Sequence, residues 1–176
     1  MTKKLNLGCG KDIRAGWVNL DVAPLPGVDV CHDISQLPLP FPDTEFEEIL
    51  CKDVLEHVEY IPILGELYRI LKPGGRLEIR VPHFTSKDAF SDPTHRKFFT
   101  SHTFRYFTVE HLRSYYTEFL FSSLQSVVIR FDKRILYPYN YMLEPIVNSS
   151  AKFQNFYEGS PLRTFPATNL EIVLVK

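Results

Sequence analysis

The residues of this sequence best suited to bind a ligand are glycines and carboxylates at the ends of successive apolar segments. Gly8 and Gly10 end the run "LNLGCG". A turn of this kind lets a ligand approach the backbone closely and leaves N–H groups free to bind it. Asp21, Asp33 and Asp53 follow later apolar segments. If those segments are neighbouring parallel strands, these five residues lie at one edge of a sheet, where ligands bind.

The elements around these residues alternate between strands and a helix. Apolar residues recur at helical spacing over 60–71, and "KPGG" at 72–75 ends that helix. Short apolar or alternating segments predict strands, and strands separated by crossovers favour a parallel sheet. The predicted strands of this half are 4–9, 16–22, 27–34, 46–54 and 76–82.

The first two crossovers are unusually short for a parallel sheet. Residues 11–15 separate the first two strands, and residues 22–27, "VAPLPG", separate the next two. A parallel crossover normally needs about a dozen residues, and two prolines exclude a helix from the second one. We therefore predict helix-free loops here, or a third strand that is very short.

The second half of the chain has weaker periodicity. Residues 84–107 are rich in aromatic, His and Thr residues, which predicts a loop with a short helix, and 108–119 predicts a helix capped by Thr108. Residues 124–136 and 169–176 predict strands, the last of them antiparallel. The Pro-, Tyr- and Asn-rich stretch 137–168 predicts a long loop with a possible short helix near 140–148, and a loop of that length is often functional, as in a lid.

Composition narrows the class of protein. The 176 residues predict a single domain. Lys and Arg number 20 against 21 Asp and Glu, so no basic excess points to a nucleic-acid partner. Three scattered cysteines form no disulfide framework, and no leader or membrane span is evident, which predicts a cytoplasmic protein.

Two nucleotide-binding motifs fit the glycine turn poorly. A Walker A loop needs Gly-Lys-Ser/Thr after four spacer residues, and this sequence lacks it. A dinucleotide fingerprint needs a third glycine, where Ile13 stands, and an acid about twenty residues on, whereas Asp21 follows Gly8 by 13.

Five motifs in order give a better match. "LNLGCG", an acid ending the next strand, "DI", "LEHV" and "LKPGGRLEI" over about residues 3–83 resemble the class I S-adenosylmethionine-dependent methyltransferases, especially the small type 11-like ones. "GWVNLD", "FPDTEFEEI" and "DPTHRKFF" resemble a subgroup of which some members accompany polysaccharide biosynthesis. This sequence departs from the family's motif in having Asn6 in place of an acid and Asp12 in place of a third glycine.

The resemblance implies S-adenosylmethionine as cofactor, with a cofactor-binding half over 1–83 and an acceptor-side half over 84–176. It also implies a role for each motif residue. Gly8 and Gly10 would flank its amino-acid end, and Asp21 would accept hydrogen bonds from both ribose hydroxyls, since a carboxylate is acceptor-only. Asp33 would face the adenine amino group, with the Ile34 N–H on a ring nitrogen. The full implied cofactor set is Asn6, Gly8, Gly10, Asp21, Val22, Asp33, Ile34, Lys52, Asp53 and His57. Asp53 could equally be an N-cap of the turn that follows it.

Two histidines are candidates for a general base. His83 follows the fifth predicted strand at the mouth of the site, and His95 lies in the aromatic loop. Histidine spacings match no HExxH or zinc pattern, so we predict no metal.

The sequence thus predicts an α/β Rossmann-like domain, mostly parallel, with an antiparallel C-terminal strand and shortened first crossovers. The expected function is in-line methyl transfer from S-adenosylmethionine to a small-molecule or saccharide-type acceptor. Two alternatives stay open: a non-catalytic cofactor-binding or partner-binding module of the same fold, and a nicotinamide-dependent oxidoreductase.

Overall fold

A seven-stranded mixed sheet organises the computed structural model, which describes residues 3–111, 115 and 117–176. The strand order is β3-β2-β1-β4-β5-β7-β6. Strands β1 to β5 are parallel to one another, and β7 runs antiparallel to both β5 and β6. The strands are β1 Lys4–Leu7, β2 Val18–Asp21, β3 Val30–Cys31, β4 Phe46–Lys52, β5 Leu71–Pro82, β6 Ser123–Phe131 and β7 Ala167–Val175. The predicted fold class, including the antiparallel C-terminal strand, is confirmed.

Four α-helices and three 3₁₀ turns complete the described elements. The helices are α1 Tyr60–Ile70, α2 Asp88–Ser91, α3 Asn140–Val147 and α4 Ala151–Gly159, and the 3₁₀ turns are Leu55–His57, Thr103–Phe107 and Pro161–Thr164. No helix among the described residues is both long and apolar enough to cross a membrane.

The helices cover one face of the sheet because the strands alternate apolar and polar side chains. On β5, Leu77, Ile79 and Val81 are buried in the main apolar cluster, to which α1 contributes Ile63 and Leu67. Side chains of α3, α4 and the aromatic segment 99–107 join the same cluster.

The opposite face of the sheet is polar and partly open. Arg80, Glu78 and Lys52 line a shallow concavity there, and Arg130 pairs with Glu171 at 2.6 Å between Nη2 and Oε2. Charged side chains with partners on their own sheet let this face contact water without a covering helix.

The two short crossovers are loops without helices, as predicted. Residues 8–17 join β1 to β2, and residues 22–29 join β2 to β3. The third strand is also shorter than the predicted 27–34, because only Val30–Cys31 pairs with β2.

The predicted long loop over 137–168 is wrong. Two α-helices and a 3₁₀ turn fill most of it. Of these three elements, the sequence predicted only the short helix near 140–148. Ser150 begins α4 by accepting the Phe153 N–H, and Ser160 caps the 3₁₀ turn in the same way at Leu162. Pro145 lies inside α3, so the prolines of this stretch did not prevent helices.

The predicted helix over 108–119 is not seen at its described residues. Thr108 ends the preceding 3₁₀ turn, with its Oγ1 bonded to the Arg105 carbonyl, and then forms a bridge with Phe121. Residues 112–114 and 116 lie outside the described part of the chain.

Candidate functional site

In the turn after β1, the two glycines serve different purposes. Gly8 and Gly10 both have positive φ, +64° and +50°, a region that favours glycine. A Cβ on Gly8 would lie 2.3 Å from Cγ2 of Val54, whereas a Cβ on Gly10 would meet no heavy atom within 4 Å. Gly8 therefore lets the turn pack against Val54, which follows β4, and Gly10 leaves open space beside the backbone.

Asp21 holds this turn and ends β2. Its Oδ2 accepts the Gly10 N–H at 2.7 Å, and its Oδ1 accepts the Ala23 N–H at 2.9 Å. Each carboxylate oxygen retains a lone pair for a further donor. Val22, directly after it, is 65% exposed, so an apolar side chain lies free beside the carboxylate.

The chain runs from β1 to β2 and β3 on one side of β1 and then crosses to β4 on its other side, so the strand order reverses at β1. This is the topological switch point at which open α/β sheets bind ligands. The residues present fit a nucleoside-containing cofactor here: an open glycine backbone, a carboxylate for a diol and an exposed apolar side chain.

Asn6 acts from behind the turn. It is 3% exposed, and its Nδ2 donates to the Asp12 carbonyl at 2.7 Å and to Asn19 Oδ1 at 3.2 Å. Asn19 Oδ1 also accepts the Arg14 N–H at 2.9 Å. Both Nδ2 bonds of Asn6 go to the protein, so this group supports the loop, and contact of Asn6 with a cofactor stays a prediction.

Asp33 and Ile34 follow the short β3. Asp33 Oδ1 accepts the Ser35 N–H at 2.9 Å, and Ile34 packs partly buried against the main apolar cluster. Asp21 lies opposite Cys31 in the parallel ladder, so these residues continue from the same edge of the sheet.

Lys52 and Asp53 are engaged away from the turn. Lys52 lines the polar face of the sheet, and both carboxylate oxygens of Asp53 accept hydrogen bonds from the Arg80 guanidinium, with Oδ1 3.0 Å from Nε. This pairing raises the pKa of Arg80. The N-cap of the following 3₁₀ turn is Val54, so an N-cap role for Asp53 is wrong.

His83 is buried and does not lie at the mouth of the site. It is 0% exposed. Its Nδ1 accepts the Thr85 N–H at 3.2 Å, which assigns the ring proton to Nε2, and Nε2 then donates to Glu158 Oε1 at 3.0 Å. A histidine whose two nitrogens both bond to buried protein groups cannot reach an acceptor molecule. The predicted location is therefore corrected.

Glu158 is the buried partner of His83. Its Oε1 also accepts the Ser101 N–H at 2.7 Å, and its Oε2 accepts the Ser101 hydroxyl at 2.9 Å. Burial acts to raise the pKa of Glu158, but the hydrogen bonds from His83 and Ser101 outweigh it and hold the pKa below its ordinary value. This network ties β5 to α4.

Glu56, His57 and His95 form a cluster after β4, and one potential ligand atom from each lies within 4.8 Å of the others. The rings of His57 and His95 are 4.7 Å apart between centroids. Burial raises the pKa of Glu56 to about 7, and burial together with His95 lowers the pKa of His57.

Glu56 was not predicted as a site residue, and neither were Asp92 and Thr94 next to His95. Asp92 Oδ1 accepts both the N–H and the hydroxyl of Thr94, at 2.8 and 2.6 Å. The local signal was the Asp-x-Thr spacing in "DPTH", which is typical of a side-chain-stabilised turn.

A cavity of about 340 Å³ lies at the same edge of the sheet, beyond the ends of β5 and β6. Its lining combines aromatic rings with hydrogen-bonding groups, among them Tyr137, Tyr139, Asp132, Arg134 and Thr168. Such a lining is suited to a polar small molecule.

Comparison with known proteins agrees with this geometry. Residues 9–79 match the family described as a methyltransferase domain, of type 11 kind. A demethylmenaquinone methyltransferase from Listeria welshimeri is 36% identical over 66 residues, which are 37% of this chain and 28% of the relative. An uncharacterized protein from Methanocaldococcus jannaschii is 48% identical over 52 residues, 30% of this chain and 22% of that protein. The matches thus span about a quarter of the curated relatives.

Solved structures match over nearly the whole chain. A SAM-dependent methyltransferase from Archaeoglobus fulgidus superposes with a TM-score of 0.67 at 16% identity, covering 99% of this chain and 86% of the other. An S-adenosylmethionine-dependent methyltransferase from Mesorhizobium loti gives 0.61 at 12% identity, covering 99% and 90%. Family and fold together imply S-adenosylmethionine as cofactor. Residues 9–79 match the methyltransferase-domain family, and the chain has the fold of the class I S-adenosylmethionine-dependent methyltransferases.

Proposed function

We propose that this protein transfers the methyl group of S-adenosylmethionine to a polar, hydroxyl-bearing small molecule of the saccharide type. The observation that carries the proposal is the pairing of Gly10 with Asp21 at the topological switch point, with open space beside Gly10. Such an arrangement offers one ligand open space beside the glycine backbone and a carboxylate with lone pairs left to accept its hydroxyl groups.

The chain's own residues would mainly bind and orient the two reactants. Bound there, the cofactor supplies a methyl group on a sulfonium sulfur, which a nucleophile displaces in line. The Gly8–Gly10 turn would admit its amino-acid end, Asp21 would accept the ribose hydroxyls, and Val22 would cover an apolar ring face. Positioning of this kind is worth roughly 7–11 kcal/mol of the barrier.

The acceptor class rests on the cavity beyond β5 and β6. Tyr137 and Tyr139 offer aromatic faces, while Asp132, Arg134 and Thr168 offer hydrogen-bonding groups, a combination suited to a hydroxyl-rich molecule. A hydroxyl acceptor must also lose its proton. The Glu56–His57–His95 cluster offers two imidazoles and a carboxylate that could take up this proton, so we assign the predicted role of His95 to that cluster.

The activity of the Listeria relatives is not carried over. Their match covers 37% of this chain and 28% of the relative.

Calorimetric titration with S-adenosylmethionine, S-adenosylhomocysteine and NAD tests the cofactor. We expect micromolar binding of the first two and none of NAD. Asp21→Ala should weaken binding at least about tenfold, because hydrogen bonds to a charged group are worth about 1.5–3 kcal/mol. The control is Asp43→Ala, whose carboxylate is exposed and pairs with Arg69. NAD binding, or tight S-adenosylmethionine binding by Asp21→Ala, would contradict the assignment.

The helix-free crossovers favour a second candidate, a non-catalytic binding module of the same fold. Residues 8–17 and 22–29 provide only loops around the candidate cofactor site. Cofactor binding without methyl transfer across a panel of saccharides and other polar acceptors would select this alternative.

A further inference from the structure

We propose that Glu56, His57 and His95 form a binding site for a divalent first-row transition-metal ion of the Zn²⁺ type. Two imidazoles and one carboxylate are a ligand set that such ions use in proteins. The three residues come from two separate segments, the 3₁₀ turn Leu55–His57 and the loop after α2, which the Arg96 N–H joins by donating to the Glu56 carbonyl at 2.8 Å.

Both imidazoles present an unprotonated Nε2, as metal ligands require. Thr94 gives its hydroxyl proton to Asp92, so its Oγ1 accepts from His57 Nδ1 at 2.7 Å. His95 Nδ1 lies 3.2 Å from the Ala89 carbonyl, which can only accept. In each ring the proton is therefore on Nδ1 and the Nε2 lone pair is free. Second-shell hydrogen bonds of this pattern orient metal-binding histidines.

Glu56 supplies a carboxylate that the surrounding protein leaves incompletely bonded. It is 1% exposed, and its buried Oε2 has no hydrogen-bond partner within the described residues. His95 Nε2 is 4.0 Å from Glu56 Oε1 and 3.9 Å from Asp92 Oδ2, both beyond hydrogen-bond length. A buried polar oxygen without a partner calls for an unseen ion or water.

The distances suit an ion after small side-chain movements. Ligand atoms around a tetrahedral Zn²⁺ with bonds of about 2.0–2.2 Å lie roughly 3.3 Å apart. The cluster's ligand atoms lie within 4.8 Å, and the closest named pair is at 4.0 Å. Nitrogen ligands favour Zn²⁺ or Co²⁺ over Mg²⁺ and Ca²⁺, which prefer oxygen. Asp92 Oδ2 is a candidate fourth ligand.

The site would also take part in methyl transfer, an inference that rests on the proposed function. The cluster begins two residues after Val54, which contacts the glycine turn at Gly8. With Glu56, His57 and His95 as its three protein ligands, a tetrahedral ion has one position left, which an oxygen of the acceptor would take in place of Asp92. A metal ion lowers the pKa of a hydroxyl group bound to it. His95 would then act as a ligand and not as the base.

Titration of the full chain with Zn²⁺ and Co²⁺ alone, after treatment with a chelator, tests the site. We expect one ion per chain and, for Co²⁺, visible absorption bands. Glu56→Gln and His95→Gln should weaken binding at least tenfold, and Thr94→Ala, which removes the hydroxyl that bonds His57 Nδ1 and Asp92 Oδ1, about 10–100-fold. No cofactor or acceptor is present, so failure of methyl transfer cannot affect the result.

His102→Gln is the matched control, since it removes a histidine outside the cluster. It should bind both ions like the wild type. Absence of binding by the wild type overturns the proposal, as does unchanged binding by Glu56→Gln and His95→Gln or equal loss in the control. If Glu56→Gln is unfolded by circular dichroism, the exposed Thr94→Ala variant decides, because unchanged affinity there contradicts the ligand role of His57.

Discussion

Replacement of His83 by leucine separates a structural from a catalytic role for this residue. In the wild type, Nε2 of His83 donates to Glu158 Oε1 at 3.0 Å, and the side chain is fully buried. Leucine fills much of the same volume but cannot donate. Glu158 would keep its two bonds from Ser101 and lose the third.

The expected cost follows from leaving a buried carboxylate short of a partner. Because His83 is a neutral donor, the loss is that of one hydrogen bond to a buried charged group, about 1.5–3 kcal/mol of unfolding free energy. In a chain of this length, each kcal/mol lowers Tm by roughly 2–4 °C, so the variant should melt about 3–12 °C lower. In His83→Leu with Glu158→Gln, the neutral amide oxygen still accepts from Ser101. The double variant should therefore be more stable than the summed single effects predict, by about 0.5–3 kcal/mol.

Urea unfolding at pH 7, followed by far-UV circular dichroism and by the fluorescence of the single tryptophan, Trp17, measures these free energies. Cofactor affinity is measured at a temperature where the variant is folded, and we expect it to match the wild type. An unfolding free energy within about 1 kcal/mol of the wild type, combined with lost methyl transfer, would refute the structural role and restore His83 as a catalytic candidate.

Three further outcomes follow from the site geometry. Gly10→Ala should cost about 1 kcal/mol for its positive φ, whereas Gly8→Ala should cost about 1–3 kcal/mol more because its Cβ meets Val54, and Val54→Ala should recover part of that difference in urea unfolding. The pKa of Glu158 is lowered, so its stabilisation is present above the ordinary value of 4.5 and is lost as pH falls through the lower folded value. The gap in unfolding free energy between wild type and Glu158→Gln should therefore narrow as pH falls below 4.5, and a constant gap would contradict the assignment. Asn6→Ala should cost about 1–2 kcal/mol and weaken S-adenosylmethionine binding through the loop, and unchanged affinity in calorimetry would show that the loop does not need this support.

Local periodicity predicted the main helix and the C-terminal strand of the sheet. The helix expected at 60–71 is Tyr60–Ile70, and the strand expected at 169–176 is Ala167–Val175. These elements have a strong apolar pattern because each buries one face in the core. Strands such as β5 alternate apolar side chains on one face with polar ones on the other. Helices need to cover only the apolar face, because charged side chains on the polar face pair with one another.

Composition misled where tertiary contacts decide the structure. The stretch 137–168 is rich in Pro, Tyr and Asn, which favour loops, but it forms α3 and α4 because their buried side chains pack on the sheet. Val147 and Tyr157 join the main apolar cluster from these helices. Propensity is a weak guide when packing supplies most of a helix's stability.

Within the candidate site, sequence alone placed the residues whose position follows from the backbone and missed those that depend on pairing across the chain. Gly8, Gly10 and Asp21 lie at strand ends, so their meeting follows from a parallel sheet. The partnership of His83 with Glu158 joins residues 75 positions apart, which no local spacing reveals.

The same reasoning explains why a metal site could be dismissed from the sequence and then proposed from the structure. Zinc motifs are recognised when two ligands share one helix or loop at fixed spacing. Here Glu56 and His57 are adjacent on a 3₁₀ turn, and His95 reaches them from the loop after α2. Backbone bonds from Arg96 and Lys97 to the Glu56 carbonyl hold the two segments together, so the cluster exists before any ion binds. A prearranged set with free Nε2 atoms and an incompletely bonded carboxylate needs little further ordering, which is the physical reason to expect measurable affinity for Zn²⁺ alone.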